Sequence, residues 1–353
     1  MSRTVKKVKL RSTAKDGIVF VHTDGMKPMA KKARQHLKEL GVPNITLCEL
    51  ELRRFESSEV KPKVLGNVRG GRVYLFYDFR PGTPNDDIMN LYLILDALHL
   101  ADASDITLVV PYLPYLRQDR KDESRTPISA KRILKGLEST SSLKRIITFD
   151  MHADQLQSVF DIPSDHLPGR IVVAPWIKQC FGDQMDDVVF VSPDSGSVKR
   201  VGKLAEMFGF DEEDTAYIGK KRGRAGVKML SLSGADVNGK TCIINDDMID
   251  TGGTIIKASK ILFERGAKRV ILSATHAVFS PSKDDEKDGE VTSAYEKFAR
   301  AGVEVVVTDS RQTEKHPWLT VLPLAKFVAY TILQQVARDG SVSKLIEEGL
   351  PHD

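Results

Sequence analysis

Residues 241–256 read Thr-Cys-Ile-Ile-Asn-Asp-Asp-Met-Ile-Asp-Thr-Gly-Gly-Thr-Ile-Ile, and they hold the chain's most telling chemistry. The apolar run Cys242 to Ile244 predicts a buried strand that ends in the carboxylates Asp246, Asp247 and Asp250. Thr251-Gly252-Gly253-Thr254 then opens a helical pattern through Ile256, Ala258, Ile261 and Leu262. A strand, a glycine turn and a helix start aim backbone N–H groups and the positive helix end at one spot, which suits a phosphate monoester. The glycines allow close backbone approach, and the two threonines add hydroxyl donors. Carboxylates cannot bind phosphate, but they accept from sugar hydroxyls or hold Mg²⁺. A phosphate cradle beside a diol binder meets the needs of ribose 5-phosphate. The plainer alternative is an acidic β-turn with a helix cap. The absence of Gly-Lys-Ser/Thr after the glycines excludes a P-loop.

Four more clusters fall where apolar runs end. Residues 111–129 place Arg117, Arg120, Lys121 and Arg125 among Asp119, Asp122, two tyrosines and prolines. That mixture suits a rigid nucleotide site, with guanidinium for phosphate or stacking and carboxylate for an exocyclic amine; a solvated charged face is the alternative. His152 stands between Asp150 and Asp154 and reads equally as structural or as a metal or phosphate contact. Ser195, Gly196 and Ser197 offer donors for a di- or triphosphate, and Asp194 either takes Mg²⁺ or caps the next helix. Residues 219–228, with five cations and three glycines, predict a mobile basic loop able to close on transferring phosphates.

The elements that must position these groups follow from periodicity. Apolar runs at 17–22, 44–49, 72–77, 106–111, 145–149, 187–192, 241–245, 269–274 and 304–308 alternate with helical patterns at 28–40, 86–100, 128–138, 197–208, 254–265, 291–301 and 323–337. Such alternation predicts parallel sheets with helices on both faces and ligands at the carboxyl ends of strands. Residues 88–112 and 255–281 repeat one order of helix, small residues and strand, so two similar domains are expected. At 353 residues the chain exceeds one ordinary core. No apolar run approaches a membrane span. A net charge of +4 does not point to nucleic acid. Cys48, Cys180 and Cys242 are scattered as in a reducing, cytoplasmic setting. The basic N-terminus lacks an apolar signal core. The stretch 282–290 has no apolar side chain and reads as a solvated loop.

Together the clusters resemble the ribose-phosphate pyrophosphokinase (phosphoribosyl pyrophosphate synthetase) family, over about residues 17–348. The likeness rests on Arg-Arg-Phe-Glu-Ser-Ser-Glu (53–59), Pro-Tyr-Leu-Arg-Gln-Asp-Arg-Lys-Asp (114–122), Asp-Met-His-Ala (150–153), Ser-Pro-Asp-Ser-Gly (192–196), Lys-Lys-Arg (220–222), Asp-Asp-Met-Ile-Asp-Thr-Gly-Gly-Thr (246–254) and Gly-Ser-Val-Ser (340–343). It implies transfer of the β,γ-diphosphoryl group of ATP to the 1-hydroxyl of ribose 5-phosphate. It also implies two phosphoribosyltransferase-type α/β domains, each a mostly parallel sheet flanked by helices: 17–167 on the ATP side and 168–337 on the sugar side. A basic tail (1–16) and a C-terminal segment (338–353) flank them.

By the same resemblance Phe55, Ser57 and Glu59 meet adenine from a neighbouring subunit. Arg117, Gln118, Asp122 and His152 complete the ATP site, and His152 and Asp194 serve Mg²⁺. Lys220 and Arg222 are catalytic. Asp246 and Asp247 bind ribose hydroxyls, and Asp250 to Thr254 the 5-phosphate. Arg69, Ser341 and Ser343 match a site for allosteric phosphate or ADP, and dimers building to a hexamer are implied. The chain departs from the family pattern at Ser57 (usually asparagine), Ser197 (glycine) and Asn67 (serine). The rival readings are a non-catalytic regulatory homologue and a plain phosphoribosyltransferase.

Overall fold

The computed structural model describes residue 10 and residues 17–121, 123–139, 142–182, 184–222, 228–283 and 289–351. The N-terminal tail apart from Leu10, Asp122, the tip 223–227 of the basic segment and residues 284–288 of the acidic one lie outside the described residues. The chain divides into two compact units, Met1–Pro168 with Pro323–Asp353, and Gly169–Leu322.

The first unit runs β1 (Ile18–His22), α1 (Lys27–Glu39), β2 (Ile45–Arg54), β3 (Val60–Val64), β4 (Arg72–Phe76), α2 (Pro84–Leu100), β5 (Asp105–Val109), α3 (Ser129–Glu138), β6 (Leu143–Phe149) and β7 (Ser164–Leu167). The second contains α4 (Arg170–Phe181), β8 (Val188–Ser192), α5 (Val198–Ala205), β9 (Ala216–Arg222), β10 (Lys228–Gly234), β11 (Thr241–Ile249), α6 (Gly253–Glu264), β12 (Arg269–Ala277), β13 (Ser282–Lys283), β14 (Val291–Thr292), α7 (Ala294–Ala301), β15 (Glu304–Thr308) and β16 (Leu319–Leu322). Two last helices, α8 (Ala325–Val336) and α9 (Val342–Glu348), return to the first unit. Residues 323–337 were expected in the second domain. Instead α8 packs on α1, and Phe327 sets its ring edge-on to Phe149 of β6, with centroids 5.7 Å apart. Repeating apolar residues predict a helix, but they do not say which sheet it covers.

Each unit is built on a seven-stranded sheet, in the orders β3-β2-β1-β4-β5-β6-β7 and β10-β9-β8-β11-β12-β15-β16. In both, all pairings are parallel except the edge hairpin, β2–β3 or β9–β10. The sheets thus repeat one topology, as the likeness of 88–112 to 255–281 predicts. Helices on both faces bury the central strands, and β1 and β8 expose no residue. Each buried Ile, Val or Leu in them contributes about 1.5–3 kcal/mol.

Both edge hairpins escape a periodicity reading. β3 is Val-Lys-Pro-Lys-Val, whose lysines and proline suit an edge strand that must not recruit another. The basic segment expected as a loop at 219–228 is instead paired in its described residues: Lys220 sits opposite Leu230, and Arg222 opposite Lys228. Backbone pairing needs no apolar side chains, so a hairpin forms where the pattern predicts a loop. Gly234 closes its base in a left-handed conformation (φ +99°), where a Cβ would lie 2.3 Å from the Thr215 carbonyl oxygen. Helix α4 is also absent from the pattern, because Ile171-Val172-Val173 and the internal Pro175 both disfavour a helix.

Candidate active site

In the second unit β8 and β11 are neighbours, so the loops leaving them lie side by side. β11 continues four residues beyond the expected end at 245, so Asp246 and Asp247 are strand residues. Asp247 is buried and Asp246 partly so. Arg200, in the first turn of α5, reaches both: its Nη1 lies 2.8 Å from Oδ1 of Asp246 and 3.4 Å from Oδ1 of Asp247. Ser197 Oγ and the Asp247 N–H also donate to Oδ1 of Asp246, each at 2.9 Å. Burial, reinforced by the Asp247 carboxylate, pushes Asp246 up to about 7 against the pull of Arg200.

The turn after β8 differs from expectation. Ser197 is buried, and its hydroxyl serves carboxylates rather than standing ready for a phosphate. Oδ1 of Asp194 accepts from the N–H groups of Gly196 at 2.9 Å and Ser197 at 3.0 Å. These bonds lie within the turn and are not a helix cap, because the cap position of α5 is Ser197 and it has no side-chain cap bond. Oδ2 takes no part in these bonds, and the side chain is exposed.

The turn after β11 is different again. Gly252 precedes α6 with φ +77°, and no side chain caps the helix. The N–H groups of its first turn lack intrahelical carbonyl partners by construction. Thr251 and Gly253 are partly exposed and Thr254 exposed, and Asp250 lies one residue before the turn. Helix start, αL glycine and flanking hydroxyls thus meet as an uncapped N-terminus, the geometry a phosphate fits. Lys220 and Arg222 lie two apart in sequence on β9.

In the first unit, Arg117 and Gln118 occupy the loop after β5, and His152 the turn after β6; Arg117, Gln118 and His152 are exposed. Gln155 donates to Asp119 at 3.2 Å, which joins the two loops. Ser129 Oγ donates to the Gln118 carbonyl and orients that amide. Asp122 lies outside the described residues. Phe55, Ser57 and Glu59 sit in the β2–β3 turn, where Phe55 is 56 % exposed beneath Lys61 Nζ, 5.9 Å from the ring centre. Ser57 donates to the Glu59 carboxylate at 2.7 Å. Three strand spacings, about 14 Å, separate β2 from β5.

Of the residues matched to an allosteric site, Arg69 lies 4.0 Å from Asp102, and Ser341 caps α9 by accepting from the Lys344 N–H. Ser343 is exposed in the first turn of that helix. No hydrogen bond or ion pair among the described residues joins Arg69 to either serine.

Among the described residues no three His, Cys, Asp or Glu side chains converge on a metal position. An ion held chiefly by substrate phosphates needs only one or two carboxylates, and the exposed Asp194 fits that lesser demand. The sequence reading missed Arg200 and Phe298. An arginine in a helix's first turn opposes the helix dipole, which hints at a nearby carboxylate. For Phe298, whose ring underlies Gly252, no local signal exists.

Two repeated α/β units, with an uncapped helix start beside paired carboxylates in the second, define a protein of the phosphoribosyltransferase-type class. Comparison with known proteins agrees. Residues 18–140 match the N-terminal domain of ribose phosphate pyrophosphokinase, and residues 164–307 a phosphoribosyl transferase domain. The ribose-phosphate pyrophosphokinase of Hyphomonas neptunium is 37% identical over 308 residues, 86% of this chain and 93% of that one. That of Vibrio parahaemolyticus is 38% identical over 307 residues, 85% and 92% of the two chains. The crystal structure of phosphoribosylpyrophosphate synthetase from Mycobacterium smegmatis aligns with TM-score 0.77 and 33% identity, covering 94% of this chain and all of that one. The chain belongs to the ribose-phosphate pyrophosphokinase family. No helix among the described residues is long and apolar enough to cross a membrane.

Proposed function

We propose that the protein transfers the β,γ-diphosphoryl group of ATP to the 1-hydroxyl of ribose 5-phosphate, yielding 5-phosphoribosyl 1-pyrophosphate and AMP for nucleotide synthesis in the cytoplasm. The observation that carries this reading is the β11–α6 turn, where two carboxylates precede an uncapped helix start entered through an αL glycine. The carboxylates accept from the ribose hydroxyls. The N–H groups of the turn, with Thr251 and Thr254, take the 5-phosphate, and Asp250 borders it.

Arg117, Gln118, Asp122 and His152 grip ATP, while Phe55, Ser57 and Glu59 reach the adenine of a neighbouring subunit in a homo-oligomer, dimers building to a hexamer. The exposed Phe55 ring in the β2–β3 turn supports that assignment to a partner's site. Asp194 and His152 serve Mg²⁺, which when bound neutralises phosphate charge. The chain's own task is to align the 1-hydroxyl with the β-phosphorus and meet developing charge with Lys220 and Arg222. Closing the basic hairpin over the phosphates excludes water, which would otherwise hydrolyse the nucleotide. Arg69, Ser341 and Ser343 take regulatory phosphate or ADP.

An assay of purified protein with ATP, ribose 5-phosphate and Mg²⁺ tests this. AMP must form, depend on the sugar, stop with EDTA and return with added Mg²⁺. Folded protein that forms no AMP would favour a regulatory homologue.

A further inference from the structure

Ser197 is 3% exposed, and its Oγ lies 2.9 Å from Oδ1 of Asp246 and 3.2 Å from Oδ1 of Asp194. The two carboxylates belong to different segments, Asp194 to the turn after β8 and Asp246 to strand β11. A serine hydroxyl has a single proton to give, and the shorter distance directs it to Asp246. That oxygen already accepts from Arg200 and from the Asp247 N–H. Three donors on Oδ1 fix the carboxylate's orientation. Glycine, the residue the family resemblance places here, supplies no such donor.

We propose that Ser197 is a positioning residue for the sugar: its hydroxyl holds the Asp246 carboxylate in the orientation that accepts from the ribose hydroxyls, and ties it to the Asp194 turn. The inference rests on reading Asp246 as a ribose-hydroxyl acceptor. Ser197 acts through Asp246 and contacts neither substrate. Its loss therefore weakens sugar binding selectively, whereas general damage to the β8 turn would weaken both substrates.

Calorimetric titration of ribose 5-phosphate into the wild-type chain and the variants Ser197→Ala, Ser197→Gly and Ser197→Thr tests this, alongside ATP KM and melting temperature. Loss of a residue that orients a ligand-binding group costs about tenfold or more. Ala and Gly are expected to weaken ribose 5-phosphate by that factor with ATP KM within about twofold, and Thr, which keeps the hydroxyl, to restore most of it. Two truncations are used so that a folding failure in one leaves the other as the test. Unchanged sugar affinity in a folded truncation overturns the proposal, as does an equal loss for ATP and sugar. The outcome is separable from the activity itself. A wild-type chain that forms AMP, with a truncation that binds sugar normally, sinks the Ser197 role alone. A wild-type chain without AMP, whose truncations still lose sugar affinity, sinks the activity and keeps the role.

Discussion

The α-carbon of Gly252 faces the ring of Phe298 so closely that a Cβ built on the glycine would lie 2.7 Å from ring Cζ. Phe298 is fully buried and cannot readily withdraw, because Phe279 and Trp318 flank it at 5.5 and 5.7 Å between centroids. Gly252 also holds φ +77°, a conformation that costs a residue with a Cβ about 1–2 kcal/mol. The turn assigned to the 5-phosphate therefore depends on an aromatic cluster beneath it.

Gly252→Ala is expected to raise the KM for ribose 5-phosphate at least about tenfold and to lower the melting temperature by several degrees. Phe298→Leu alone costs packing, but in the double variant it should return part of the lost sugar affinity. Steady-state kinetics on the two single variants and the double variant measure the coupling. Strictly additive losses would show that the ring does not constrain the turn.

Asp246 gives a pH signature. Its folded value, raised to about 7, exceeds the ordinary carboxylate value near 4. Between those limits the folded chain retains a proton that the unfolded chain has released, so stability falls as pH rises from about 4 to about 7 and then levels. Asp246→Asn cannot ionise, and its melting temperature should gain on the wild type through that window. Sugar affinity should run the other way, rising through about pH 7 as the carboxylate ionises and becomes a better acceptor. Arg200→Ala, which removes the favourable charge, should move that inflection upward. Titrations of ribose 5-phosphate at several pH values decide, and an inflection below pH 5 would contradict the assignment.

Lys220→Ala is expected to lower turnover by orders of magnitude while leaving ATP affinity within a few fold, because its charge matters chiefly as the diphosphoryl group transfers. ATP binding and single-turnover rates separate the two quantities. Equal losses in both would make Lys220 a ground-state contact.

Much of this architecture is legible in the sequence, and the exceptions share a cause. The strands of the sheet centres are continuous apolar runs, so burial on both faces writes them into composition. Edge strands β3 and β10 are held by backbone pairing and carry lysines, so no apolar period marks them. Helix α4 contradicts local propensity at Pro175 and forms through tertiary packing. The paired carboxylates and the glycine turn are legible because their chemistry needs particular residue types at fixed spacing. Arg200 and Ser197 are not, because their contacts with Asp246 span 46 and 49 positions and exist only once β8 lies against β11.

In the proposed reaction the diphosphoryl group moves as one unit. The most direct measurement follows ATP carrying isotopic label in its β- and γ-phosphates through a reaction with ribose 5-phosphate and Mg²⁺. Both labels should arrive together on the sugar in equal amounts, with one unlabelled AMP released for each product formed. Arrival of the γ-label alone, with ADP as the nucleotide product, would contradict it.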